Sequence, residues 1–135
     1  MKKIFIVCTH GNTGTEIVNS VQMIMGKQNN FYGVSFNENE GVQDLYQKID
    51  QYINPESEIM IFVDILGGTP FNVSSQLSMK YKNIRIVTGV HIGMLLEVCL
   101  NRSNPLDELS LLAVSVGKNL INSYDIKLSN EEDDF

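Results

Sequence analysis

Two stretches, Lys3–Cys8 (KIFIVC) and Ile59–Val63 (IMIFV), carry apolar side chains at successive positions with no polar alternation. A strand with one wet face alternates apolar and polar residues. A strand apolar at every position has to be covered on both faces, and helices packed on both sides of a parallel sheet do that. The segments between supply the helices. Thr13–Gly26 repeats apolar residues at Ile17, Val18, Val21, Ile24 and Met25, with Gly26 as a stop. Gly41–Ile53 places Val42, Leu45, Tyr46, Ile49, Tyr52 and Ile53 on one helical face. Phe31–Phe36 and Ile84–Thr88 read as the second and fourth strands, and Phe71–Tyr81 and Gly93–Asn101 as helices, the latter stopping before Asn104-Pro105. Leu109–Val116 fits both periods and is taken as a short strand, followed by a small helix near Lys118–Ser123. The expected fold is α/β, doubly wound, with a mainly parallel central sheet and helices on both faces.

The chain has 135 residues, enough for one domain over residues 1–128 to bury a core without disulfides or a structural metal. Residues 129–135 form a short acidic tail, expected to be solvated. The net charge is −6 and the arginines are Arg85 and Arg102 alone, which argues against a nucleic-acid-binding face. Cys8 and Cys99 lie in apolar runs and form no CxxC pair, as expected of reduced, buried thiols in a cytoplasmic protein. The apolar run after Met1-Lys2-Lys3 is too short for a cleavable leader, and no run approaches membrane-spanning length.

In such folds ligands bind beyond the carboxyl ends of the strands. The first strand delivers Thr9, His10 and Gly11 there, the third Asp64, Gly67, Gly68, Thr69 and Pro70, and the fourth Thr88, Gly89 and His91. GGTP suits a helix start, with Thr69 as cap and Pro70 as first helical residue. The same parts can cradle a single phosphoryl group, because helix-terminal N–H groups and the dipole favour an anion. Asp64 either caps its own turn or, if the first and third strands are neighbours, accepts a hydrogen bond from one nitrogen of His10. The second arrangement leaves the other nitrogen free to attack. His91 is a loop or helix-start residue, or an accessory to the same site. No spacing of ligating residues supports a metal, and no cofactor is expected. A nucleophilic Cys8 is excluded, since phosphatase chemistry of that kind needs arginine at position 14, which is glycine. THGNT is similar to the RHGxT of histidine phosphatases, but Thr9 stands in the place of the phosphate-clamping arginine.

CTHGN after the first strand, VDILGGTPFNVSSQL after the third and VTGVHIGMLLE after the fourth together resemble the enzyme IIA component of the mannose family of the bacterial sugar phosphotransferase system. The resemblance runs over roughly residues 2 to 124. It implies that His10 takes a phosphoryl group from phospho-HPr and passes it to a IIB component, serving membrane IIC and IID components indirectly. It implies that Asp64 orients His10 and that Gly68 and Thr69, with Gly11 and Gly67, surround the phosphoryl group. Thr9 and His91 are accessory candidates. The family is cytoplasmic and commonly dimeric, with an exchanged C-terminal strand for which Leu109–Val116 would be the counterpart. One departure stands out: the family often reads GVN-[LI]-PM where this chain has GVHIGM, so His91 and Gly93 replace asparagine and proline. Two rivals compete with the carrier. They are a small phosphatase using His10 as nucleophile, and a flavodoxin-like binding module. The scarcity of arginine opposes the first, and the lack of aromatic residues in the strand-end loops opposes flavin binding.

Overall fold

The computed structural model describes residues 2–127; the acidic tail at 129–135 lies outside the described residues. Four parallel strands form one sheet in the order β2-β1-β3-β4: β1 (Lys3–His10), β2 (Phe31–Phe36), β3 (Glu58–Val63) and β4 (Ile84–Val87). The helices among the described residues are α1 (Thr13–Met25), α2 (Val42–Asp50), α3 (Thr69–Lys80), α4 (Ile92–Leu100) and α5 (Leu106–Asn119).

The two unbroken apolar strands are the central pair, with Ile4 opposite Ile59 and Cys8 opposite Val63. Their side chains divide by parity between two cores. Phe5, Val7, Met60 and Phe62 pack with Val18 and Val21 of α1, Leu95 and Val98 of α4, and Leu109 and Ala113 of α5. Ile4, Ile6, Cys8, Ile59, Ile61 and Val63 pack with Leu45 and Ile49 of α2 and Val73 and Leu77 of α3. Each such side chain taken fully out of water contributes about 1.5–3 kcal/mol, which explains why this pair takes the centre and not an edge. Phe5 and Phe62 add an edge-to-face contact with ring centroids 6.0 Å apart.

Helix α1 lies close against β1 and β2. A Cβ on Gly33 would sit 2.5 Å from Thr15 Cα, and one on Gly14 2.9 Å from the Val7 carbonyl oxygen. Thr9, fully buried, accepts the Gly14 N–H on its hydroxyl at 2.6 Å and so ties the first turn of α1 to the end of β1.

Three expectations are corrected. Leu109–Val116 is not a strand but the middle of α5. Its buried residues Leu106, Leu109, Ala113 and Gly117 recur at helical spacing, and the acidic Asp107 and Glu108 occupy the first turn. The strand reading came from apolar residues on the outer face, where Leu111 is 73% exposed. Helix α5 runs on to Asn119, so no separate helix spans Lys118–Ser123, and no fifth strand is present among the described residues. Thr69 is not the cap of α3: Gly68 holds that place in extended backbone, Thr69 is the first helical residue and Pro70 follows within the first turn.

Candidate functional site

In the order β2-β1-β3-β4 the connections leaving β1 and β3 diverge, and a crevice opens between the carboxyl ends of those two strands. His10 is the last residue of β1, and Asp64 directly follows β3. Because β1 and β3 are paired neighbours, the two side chains meet across the crevice. His10 Nδ1 lies 2.8 Å from Asp64 Oδ2, and the His10 backbone N–H donates to the same oxygen at 3.0 Å. The other carboxylate oxygen, Oδ1, accepts the Ile65 N–H at 3.0 Å. A carboxylate that takes a proton donor from the ring at Nδ1 holds His10 in the tautomer with hydrogen on Nδ1 and a lone pair on Nε2. The His10 side chain is 47% exposed, so Nε2 is open to a partner.

Partial burial alone would push the Asp64 carboxyl up. The hydrogen bonds from the His10 ring, the His10 backbone and the Ile65 backbone outweigh it and hold the carboxyl below its usual value.

Two more surfaces confine the imidazole. Gly68 lies against the ring: a Cβ there would come within 2.8 Å of His10 Cε1 and 3.4 Å of Nε2. Gly68 is also the cap of α3, so the nitrogen left free stands beside the first turn of that helix. The N–H groups of Thr69 and Phe71 there have no acceptor within the helix, and Pro70 has no N–H to leave unpaired. Gly67 adopts φ +83°, a left-handed turn that a side chain would strain, and its carbonyl accepts from Asn72 Nδ2 at 3.5 Å. On another side the Phe36 ring meets His10 edge to face with centroids 6.0 Å apart. His10, Gly11, Phe36, Asn37 and Glu38 line an open depression of about 470 Å³.

The expected residues therefore divide. His10, Asp64, Gly67, Gly68 and Thr69 converge. Gly11 adjoins His10, but its N–H is taken by the Phe36 carbonyl at 2.8 Å. Thr9 is buried, holding α1 rather than facing the crevice. His91 caps α4, with both ring nitrogens engaged by backbone groups of α4 and α5. Phe36 escaped notice because it read only as the last residue of a strand; its pairing with His10 in the β1–β2 register brings it to the site. An aromatic ring does therefore border the crevice.

The remaining chemistry is narrow. Cys8 is fully buried, and that burial, with a smaller push from the Asp64 charge, raises its thiol to about 12, so it is no nucleophile. Both arginines are engaged elsewhere: Arg85 with Asp107 at 2.7 Å, Arg102 with the Lys3 and Asn30 carbonyls. Among the described residues no cluster of His, Cys, Asp and Glu could hold a metal, and no helix is long and apolar enough to cross a membrane.

The family model described as PTS system fructose IIA component matches residues 4–110. The chain belongs to this IIA family of the phosphotransferase system. The IIA protein is 33% identical over 135 residues to a sorbose-specific EIIA component of Lacticaseibacillus casei, covering 96% of this chain and 98% of that one. It is 28% identical over 118 residues to the mannose-specific EIIAB component of Escherichia coli K12, covering 84% of this chain and 36% of the longer relative. A crystal structure of an EIIA component from Streptococcus agalactiae superposes with a TM-score of 0.84 at 30% identity, covering 90% of this chain and 96% of that one. A mannose/sorbose-specific IIA subunit from Enterococcus faecalis gives 0.85 at 26% identity, covering 93% and 96%. The IIA protein is accordingly a phosphotransferase that carries phosphoryl groups in sugar uptake.

Two outcomes follow from the geometry. The Gly68 backbone, at φ −82° and ψ 173°, tolerates alanine, so Gly68→Ala should leave the melting temperature within about 2–4 °C. It should lower phosphoryl acceptance about tenfold or more by displacing the His10 ring, as timed labelling checks. Asp64, lowered in the fold against about 3.9 unfolded, favours folding when ionised. Its contribution is complete above about pH 4–5 and is lost as pH falls through the folded value. The stability gap between the wild type and Asp64→Asn should therefore narrow from pH 6 to pH 3 in urea titrations.

Proposed function

We propose that His10 is the residue that carries the phosphoryl group, taking it from phospho-HPr and delivering it to a IIB component in the cytoplasm. The observation that carries this reading is the 2.8 Å contact of His10 Nδ1 with Asp64, which leaves Nε2 as the free nitrogen beside the start of α3. Neutral His10 attacks phosphorus through Nε2 while the donor's P–N bond breaks and the donor imidazole leaves with its electron pair. The hydrogen on His10 Nδ1 stays in place, and Asp64 balances the charge on the phosphorylated ring. The unpaired N–H groups at the first turn of α3 and the Thr69 hydroxyl would receive the phosphoryl oxygens.

Transfer of this kind needs alignment and charge stabilisation more than covalent machinery. With neither arginine at the crevice, the site does not clamp phosphate as a phosphatase would. A protein partner suits the rim: Ile65 and Leu66, next to Asp64, are 55% and 74% exposed and form an apolar ledge. We also propose a homodimer. Leu111 on the outer face of α5 and Ile121 and Tyr124 beyond it are each more than 70% exposed, an apolar surface that a second copy would cover.

With phosphoenolpyruvate, enzyme I and HPr, the IIA protein should gain one acid-labile, base-stable phosphate, and His10→Gln should gain none. Labelling of His10→Gln at the normal rate would overturn the assignment, and steady release of inorganic phosphate by the wild type would favour the phosphatase. Sedimentation equilibrium should return twice the chain mass; the single mass at high micromolar concentration would rule the dimer out.

A further inference from the structure

The loop after β4 does more than lead into α4. Its Gly89 N–H donates to the backbone carbonyl of Asp64 at 3.1 Å, and its Val90 N–H donates to Val63 at 3.2 Å. Gly89 makes the first of these bonds from a left-handed backbone at φ +73°. The backbone carrying the Asp64 carboxylate is thus held from the β4 side, while the carboxylate itself holds His10.

His91 anchors this loop at its far end. As the cap of α4 it accepts the Met94 N–H on Nδ1 at 3.4 Å, and its Nε2 donates to the Gly117 carbonyl in the last turns of α5 at 3.2 Å. The first bond needs a lone pair on Nδ1 and the second a hydrogen on Nε2. His91 is therefore held in the tautomer opposite to that of His10. The surroundings are fitted to it. A Cβ on Gly93 would lie 2.6 Å from Leu120 Cδ1, and one on Gly117 2.8 Å from Met94 Cε and 3.6 Å from His91 Nε2. The two residues that depart from the family's usual loop, His91 and Gly93, thus belong to one junction. The ring ties α4 to α5, and the missing side chain makes room for Leu120.

We propose that His91 is a positioning residue for phosphoryl transfer. By tying the start of α4 to the end of α5 it fixes residues 88–90, and through their bonds to Val63 and Asp64 it sets the orientation of the His10 ring. The proposal rests on His10 being the residue that carries the phosphoryl group. It assigns His91 no contact with phosphate.

The test uses the full chain and its two histidines, whose ring nitrogens can be observed together by long-range ¹H–¹⁵N correlation. The wild type should show hydrogen on Nδ1 of His10 and on Nε2 of His91. His91→Ala should shift the His10 ring nitrogens toward a mixture of tautomers and lower kcat for transfer from phospho-HPr about fivefold or more. KM for the donor should stay within about twofold, since the docking face is untouched. His91→Asn keeps a capping oxygen for Met94 but loses the bond to the Gly117 carbonyl, so it should fold and still show most of the His10 shift and of the fall in kcat. It also serves as the folded control if His91→Ala unfolds. Unchanged His10 resonances and kcat in His91→Ala, or in folded His91→Asn, would overturn the proposal, as would a wild-type His91 with its hydrogen on Nδ1. If the wild type accepts no phosphate at all, the carrier reading of His10 fails instead, while the tautomers and the response of the His10 ring still decide the role of His91.

Discussion

β1 and β3 lie side by side in the middle of the sheet, in a parallel register that runs from Lys3 opposite Glu58 to Cys8 opposite Val63. Both strands are apolar on both faces, so they are stable only where helices cover each side. That single pairing sets the rest. It draws α1, α4 and α5 onto one face and α2 and α3 onto the other. It also brings the residues that end the two strands within one hydrogen bond of each other, although they are 54 positions apart in the chain.

What forms at that edge is economical. One carboxylate oxygen receives both the ring and the backbone of His10, and the other receives Ile65, so Asp64 has no freedom to swing away. The imidazole is bounded by Gly68 and Phe36, and its free nitrogen stands at a helix start. Under the proposed reading, backbone N–H groups without an arginine would hold a phosphoryl group less firmly than an arginine fork does. Loose holding is what a carrier requires, because the group has to leave again for the next protein.

Much of this was legible in the chain. The apolar runs KIFIVC and IMIFV are strands, the helices between them are placed to within a few residues, and His10, Asp64 and GGTP come together at one edge. Misreadings arose where a local pattern served two periods or hid its direction. LSLLAVSV carries apolar residues on the inner and outer faces of α5, so alternation mimicked a strand. Thr69 suits a cap by residue type, yet the helix starts one residue earlier, with Gly68 as cap at a place where a side chain would collide with His10. Thr9 looked like a site residue from its position beside His10, but neighbours in a strand point to opposite faces, and Thr9 faces α1.

By itself the sequence determined the fold class and a short list of candidate residues at one sheet edge, because hydrophobic periodicity and turn chemistry are local properties of the chain. Only the tertiary structure decided which nitrogen of His10 is free, that Phe36 borders it, and that His91 faces Gly117 instead of the crevice. Those facts depend on the order of the strands and on the directions of side chains brought together from distant segments, and no local pattern encodes either.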